Sequence, residues 1–243
     1  MRLTIHLCAG DLLKGAGTIS KKRAEIRAKR QLHPYAVLLF SELGLILIYP
    51  FLASTSVGDE VFRLLAVIVF LTSLYAVKGR GRITIIALLL GAPAIVLRLT
   101  NIAEHREVVR LPDELSGLAF LTFITCVMVW TIVSNPSVTA DTLAGAVSAY
   151  FLVGITFGLA YLLIESVLPG SFKDTIQPGK HFTPADFTFF SFVTLTTVGY
   201  GDIVPWGAHA RALAIVESVL GIMYPAVLVS RLVGLHGSRR AAE

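Results

Sequence analysis

One run in this 243-residue chain carries distinctive chemistry: Thr196, Thr197, Val198, Gly199, Tyr200, Gly201 and Asp202. Glycine enters left-handed backbone space without the steric penalty a side chain brings. With Gly199 and Gly201 two positions apart, successive carbonyls can turn to one side of an extended strand. Val198 and Tyr200 then turn to the other side and anchor it, and the Thr197 hydroxyl adds an oxygen at the inner end. Several such ladders around an axis can replace the water shell of a bare cation. A glycine-rich turn before a helix is the plainer alternative, and seven residues in unbroken register weigh against it.

Residues 197–201 read TVGYG, which resembles the signature of the tetrameric potassium channels. The resemblance implies K+ ions held at Thr197, Val198, Gly199 and Tyr200, with Gly201 completing the filter. Thr196, Asp202, Phe189 and Phe190 would support that filter from behind. Only one copy of the motif exists in the chain, and one ladder cannot surround an ion. Four identical chains closing around an axis can, so the expected partner is the chain itself, as a homotetramer.

The elements that position the ladder lie on either side of it. Thr183, Pro184 and Asp186 have the types and spacing of a helix start, with an N-cap hydroxyl, a proline in the first turn and a carboxylate three residues on. A short helix over residues 184–194 would end at the ladder and aim its partly negative C-terminal end at a cavity. Phe187, Phe189, Phe190 and Phe192 make that helix aromatic, and the resemblance implies a cuff around the filter. Many potassium channels carry tryptophan where Phe189 and Phe190 stand. Phenylalanine offers Asp202 no N–H, which leaves water or a backbone donor as its expected partner.

Composition sets the frame. Hydrophobic residues make up 55% of the chain and charged ones 15%. The apolar residues come in blocks of about 20, the length a bilayer core demands. The expected class is an all-α membrane protein of six transmembrane helices, with a re-entrant pore helix and filter between the fifth and sixth. The spans fall at residues 35–52, 61–77, 83–97, 117–134, 141–168 and 208–233. Four domains follow: a basic cytoplasmic arm at 1–34, four peripheral helices at 35–134, a pore domain at 135–236 and a short tail at 237–243.

Charge sets the orientation. The formal net charge of +5 does not point to nucleic acid, because the basic residues concentrate in three places. These are the arm, with Lys14, Lys21, Lys22, Arg23, Arg27, Lys29 and Arg30; the turn after the second span, with Lys78, Arg80 and Arg82; and the end, with Arg239 and Arg240. All three fall on one side only with six spans, which puts both termini in the cytoplasm of a bacterial or archaeal inner membrane. The arm could also meet anionic lipid, each basic residue contributing roughly 1 kcal/mol. Residues 100–116 read as an external connection, and the short third span, with Gly91 and Pro93, is either kinked or extended by Arg98 snorkelling to the interface. Asp141 or Thr142 would cap the fifth span, and Glu42, inside the first, would pair with a basic residue at a neighbouring span's end.

In the last span Glu217, Gly221 and Pro225 are the gating candidates. Proline removes an intrahelical hydrogen bond and bends the helix. Gly221 is either a hinge or a site of close packing. Glu217 faces a cavity or, preferred here, sits behind the filter bonded to a hydroxyl such as Ser191 or Thr194. Gly154 and Gly158 form a GxxxG step suited to close helix contact.

Several function classes recede on these grounds. A voltage sensor needs repeated arginines along the fourth span, each worth about 2.3 kcal/mol per 100 mV, and residues 117–134 hold none. About ten residues follow the last span, too few for a ligand-gating domain. The six histidines are scattered singly, so neither an enzyme centre nor an organic cofactor is expected. Cys8 and Cys126 fall in the arm and in a span, which argues against a disulfide. His181, His209, the basic arm and membrane tension are the gating inputs on offer. A passive potassium channel is the expected function. The alternatives are a non-selective cation channel, which usually lacks an intact GYG ladder, and a potassium-uptake transporter subunit, which carries several degenerate filter repeats.

Overall fold

In the computed structural model the chain divides into two compact units, Met1–Pro34 and Tyr35–Glu243. The structure describes residues 33–52, 58–104, 107–134 and 139–240. The basic arm and its expected lipid contact, with Cys8, lie outside the described residues.

The second unit is helical, apart from two three-residue strands. In chain order it comprises α1 (Pro34–Leu52), α2 (Gly58–Ala76), α3 (Arg82–Glu104), α4 (Glu107–Ser134), α5 (Ala140–Val167), β1 (Phe172–Asp174), α6 (Pro184–Leu195), β2 (Ile203–Pro205) and α7 (Ala208–Arg240). Among the described residues four helices are long and apolar enough to cross a membrane, namely those containing Arg82–Thr100, Arg110–Ser134, Ala140–Val167 and Ala208–Arg231. The chain is therefore a helical membrane protein. Pro34–Ile48 is apolar but shorter. Helix α6, with 12 residues, reaches only about 18 Å, well short of a hydrocarbon core of roughly 30 Å.

Neighbours in sequence pack together: α2 on α3, α3 on α4, α4 on α5, and α5 on α6. Helix α7 closes against α5, α6 and β2. One core, around Leu38, Leu45, Phe70, Phe120, Leu121, Met128 and Leu152, ties α1 to α5. A second, around Tyr161, Phe172, Phe187, Phe190 and Ile203, joins α5 to the segment before α7. Glycines set the spacing. A Cβ on Gly91 would stand 2.8 Å from the Phe120 ring, and one on Gly145 3.0 Å from Tyr35. The outward faces stay apolar, with Phe40, Leu89 and Trp130 about 70% exposed, as a lipid-facing surface requires. Of the four long helices α7 is the least covered, with 11% of its apolar window buried against 50% for α5.

Several sequence expectations need correction. Residues 100–116, read as an external connection, are helical as far as Glu104 and again from Glu107. Described polar residues there bond to one another. Arg98 donates to Asp113 at 2.9 Å, Arg110 to Glu114 at 3.1 Å, and Ser166 of α5 to Glu114 at 3.0 Å. Arg98 accordingly does not snorkel; it is 9% exposed and lies over the Phe70 ring. Glu42 is fully buried and pairs with no basic residue among the described ones; Ser148 of α5 donates to it at 2.9 Å. The cap of α5 is Thr139, whose hydroxyl accepts from the Thr142 amide at 3.1 Å, rather than Asp141 or Thr142. Arg80, in the basic turn, is held inside the fold by Thr131 at 2.8 Å and by the Tyr35 hydroxyl.

Candidate functional site

The site is built from the start of α6 upward. Thr183 and Asp186 form a reciprocal cap: the Asp186 amide donates to the Thr183 hydroxyl and the Thr183 amide to the Asp186 carboxylate. Lys180 adds an ion pair to Asp186 at 2.7 Å. Such caps fix where a short helix begins, and a helix of three turns needs that help.

Helix α6 is pressed between two neighbours. A Cβ on Gly158 would lie 2.9 Å from Thr188 Cα, and one on Gly154 2.8 Å from the Phe192 ring. The GxxxG step of α5 thus receives α6. On the other side, a Cβ on Gly221 would stand 1.8 Å from the Leu195 carbonyl oxygen. Gly221 is where α7 passes under the end of α6, which favours close packing over a hinge. Pro225 lies four residues on within the continuous helix α7 and cannot donate to the Gly221 carbonyl.

Beyond Leu195 the backbone alternates. Thr196 is right-handed, at φ −85° and ψ 0°. Thr197, Gly199 and Gly201 have φ of +61°, +57° and +79°. Val198 and Tyr200, between them, are not in that region. An every-second-residue alternation turns successive carbonyls the same way. The amides are tied back to the helix: Thr197 donates to Thr194 O at 3.0 Å, and Val198 and Gly199 both to Val193 O, at 3.0 and 3.3 Å. Among the described residues no hydrogen bond reaches the carbonyls of Thr197 to Tyr200. A Cβ at Gly199 or Gly201 would meet nothing within 4 Å, and Thr196 to Gly201 are all exposed. What results is a row of unsatisfied oxygens on an open face, a donor set suited to a hard cation. Thr197 was not foreseen as left-handed; the sequence signals that conformation only through glycine.

The supporting residues separate. The ring of Phe189 stacks on Tyr200, centroids 6.3 Å apart and 3° from parallel. Phe190 does not join it. It is 6% exposed and packs on Tyr161 and Phe172, with centroids 5.0 and 5.5 Å away. Phe187 and Phe192 likewise turn to Phe172 and to Phe151, so the four phenylalanines form no cuff within one chain. Val198 and Tyr200, expected to anchor the ladder in surrounding protein, are 52% and 71% exposed. Asp202 accepts from the Ile203 amide at 2.9 Å, a backbone donor.

Strands β1 and β2 pair antiparallel in front of the ladder, Phe172 opposite Pro205 and Asp174 opposite Ile203. From this ribbon the Thr175 hydroxyl donates to Gly201 O at 2.7 Å and its amide to Asp202 O at 2.8 Å. Lys173 Nζ sits 3.4 Å above the Trp206 ring. The amides of Gln177 and Ile176 donate to the Asp174 carboxylate and hold its pKa below the ordinary value. Three-residue strands carry too little periodicity to be read in advance.

Glu217 is fully buried behind α6. Tyr161 of α5 donates to it at 2.6 Å, and Ser191 of α6 is its second partner. Ser191 also reaches Gly154 O at 2.6 Å. Of the two hydroxyls expected, Ser191 is the partner; Tyr161 came from a distant helix and gave no local signal.

The family described as Ion channel matches residues 149–235, a region that contains most of α5, all of α6, the ladder and most of α7. Protein LctB of Geobacillus stearothermophilus is 32% identical over 137 residues, 47% of this chain and 93% of that protein. The inward rectifier potassium channel Kirbac3.1 of Paramagnetospirillum magnetotacticum is 35% identical over 85 residues, 33% of this chain and 25% of that one. Two pore potassium channel c of Oryza sativa subsp. japonica is 36% identical over 85 residues, 35% of this chain and 17% of that one. The chain thus spans only a quarter or less of the length of these two potassium channels. No solved structure gives a significant match. The capped short helix, the alternating ladder it presents and the kinship of the region around them together place the chain in the potassium channel superfamily.

Proposed function

We propose that the chain conducts K+ passively through a homotetrameric pore. The observation that carries this reading is the alternation of positive φ at Thr197, Gly199 and Gly201, with the Thr197, Val198 and Gly199 amides tied back to α6 and no described residue bonded to the carbonyls of Thr197 to Tyr200. Four such faces around an axis give each ion oxygens from every side, replacing the water it sheds. The permeant ions are held at Thr197, Val198, Gly199 and Tyr200, and no organic cofactor takes part. In the tetramer a neighbouring subunit covers Val198 and Tyr200, and Phe189 braces the ladder through Tyr200.

Helix α6 re-enters without crossing, and its C-terminal end faces the cavity below the ladder, favouring a cation there. Helix α7, the least covered of the four long helices, lines that cavity. With α1 and α2 added to the four long helices the chain crosses the membrane six times, its termini in the cytoplasm. The apolar part of α4 carries no arginine, so gating is not strongly voltage-dependent. Reconstitution into liposomes with a potassium gradient tests the reading. K+ flux exceeding Na+ flux and blocked by barium is expected, with Gly199→Ala assembling but silent; conduction surviving Gly199→Ala would overturn the assigned filter.

A further inference from the structure

We infer that a cavity of 340 Å³ between the peripheral helices and the start of α6 binds one anionic phospholipid, with its phosphate at Arg63 and an acyl chain along the apolar wall. The cavity lies apart from the ion ladder. Its volume falls within the roughly 300–1,000 Å³ of ligand sites. Its two ends differ in chemistry. At the polar end Arg63, Arg110 and Glu114 line it beside the Arg98–Asp113 pair. Away from them the lining is Ala66, Val69, Leu121, Ile155 and Leu159. An amphiphile matches that division; a free anion would leave the apolar wall bare.

Among the described residues, the Arg63 guanidinium and one oxygen of Glu114 are unpaired at the polar end. Arg63 is half-buried and makes no hydrogen bond or ion pair with any described residue. Glu114 is 3% exposed, and its Oε2 accepts no hydrogen bond although Oε1 accepts from Arg110 and Ser166. A buried acceptor left unpaired is costly, so a ligand hydroxyl there is favoured. A phosphate answers the guanidinium and a glycerol headgroup answers the carboxylate, which selects phosphatidylglycerol chemistry over phosphatidylcholine. Access is from the bilayer side, since Leu64, Leu111 and Leu115 on the same helices are 41–51% exposed. The occupant would touch α6 at Pro184 and Thr188, the helix that carries the ladder.

The test uses the purified, delipidated full chain in detergent, with lipid retention by native mass spectrometry and thermal unfolding as readouts. Both are independent of conduction, so failure here is distinguishable from failure of the channel reading. Phosphatidylglycerol should be retained and should raise the unfolding midpoint, while phosphatidylcholine and inorganic phosphate should not. Arg63→Gln should weaken phosphatidylglycerol binding about tenfold, the worth of one charge-assisted hydrogen bond, and Ala66→Phe should abolish it by filling the cavity. Arg63→Gln breaks no pair with any described residue, so it keeps the proposal falsifiable should Ala66→Phe fail to fold. Equal effects of the two lipids, a shift reproduced by inorganic phosphate, or undiminished binding by Arg63→Gln would each overturn the assignment.

Discussion

Replacing Gly221 with alanine puts a methyl group where the end of α6 already stands. The added Cβ would lie 1.8 Å from the Leu195 carbonyl oxygen, with the Leu195 carbonyl carbon at 2.8 Å. Ordinary contact begins near 3.4 Å, so the two helices would have to separate by roughly 1.5 Å. No side chain can swing aside, because the obstacle is backbone. The same carbonyl is held by the Tyr150 hydroxyl at 3.3 Å, and the next residue begins the ladder. Overpacking a fitted core costs about 1–3 kcal/mol, and a backbone obstacle belongs at the upper end, near 3 kcal/mol. That corresponds to a fall in unfolding midpoint on the order of 10 °C. Gly154→Ala meets only the Phe192 ring, which can turn, and should lose about 1 kcal/mol. Gly44→Ala, with its nearest neighbour at 3.8 Å, should be neutral or gain up to about 1 kcal/mol from helix propensity. Thermal unfolding of the three variants in one detergent, with liposome K+ flux on the same samples, reads the order. A hinge role would alter flux and spare stability. Gly221→Ala unfolding with Gly44→Ala, at the parent midpoint, would refute the packing argument.

Tyr161→Phe removes a donor from the buried Glu217 and should lower stability by about 1–3 kcal/mol. Combined with Glu217→Gln the two losses should fall short of additive, and strict additivity in a double-mutant cycle would deny that the groups interact. The Asp174 carboxylate, held below its ordinary pKa of 3.8 by the Gln177 and Ile176 amides, stabilises the loop fully above that value. Its contribution fades as pH falls through the lowered folded value. Hydrogen exchange at those two amides, corrected for intrinsic rates, should quicken in acid in the parent and show no such transition in Asp174→Asn.

What the sequence made legible was local. The cap on α6 needs only Thr183 and Asp186, three residues apart, and it stands as expected. The glycine alternation likewise admits one economical backbone, and Gly199 and Gly201 adopt it. Thr197 joins them in left-handed space at a conformational cost of about 1–2 kcal/mol, which no residue type announces. Partners from distant helices stayed hidden. Ser148 for Glu42 and Tyr161 for Glu217 are 106 and 56 residues away, and periodicity says nothing about which helices meet. The charged stretch before residue 117 read as a connection because charges favour water. Buried pairing of Arg98 with Asp113 let the helices run on through it. The resemblance places Phe190 beside the filter, whereas within the chain helical geometry turns it towards Tyr161.

The ladder of Thr197 to Tyr200 exists, on this account, to exchange water for backbone oxygen around one ion size. The direct measurement is the reversal potential of the reconstituted full chain in a planar bilayer with K+ on one side and an equal concentration of Na+ on the other. A potential displaced far towards the K+ equilibrium value is expected. A reversal at zero, with current carried equally by both ions, would contradict the account.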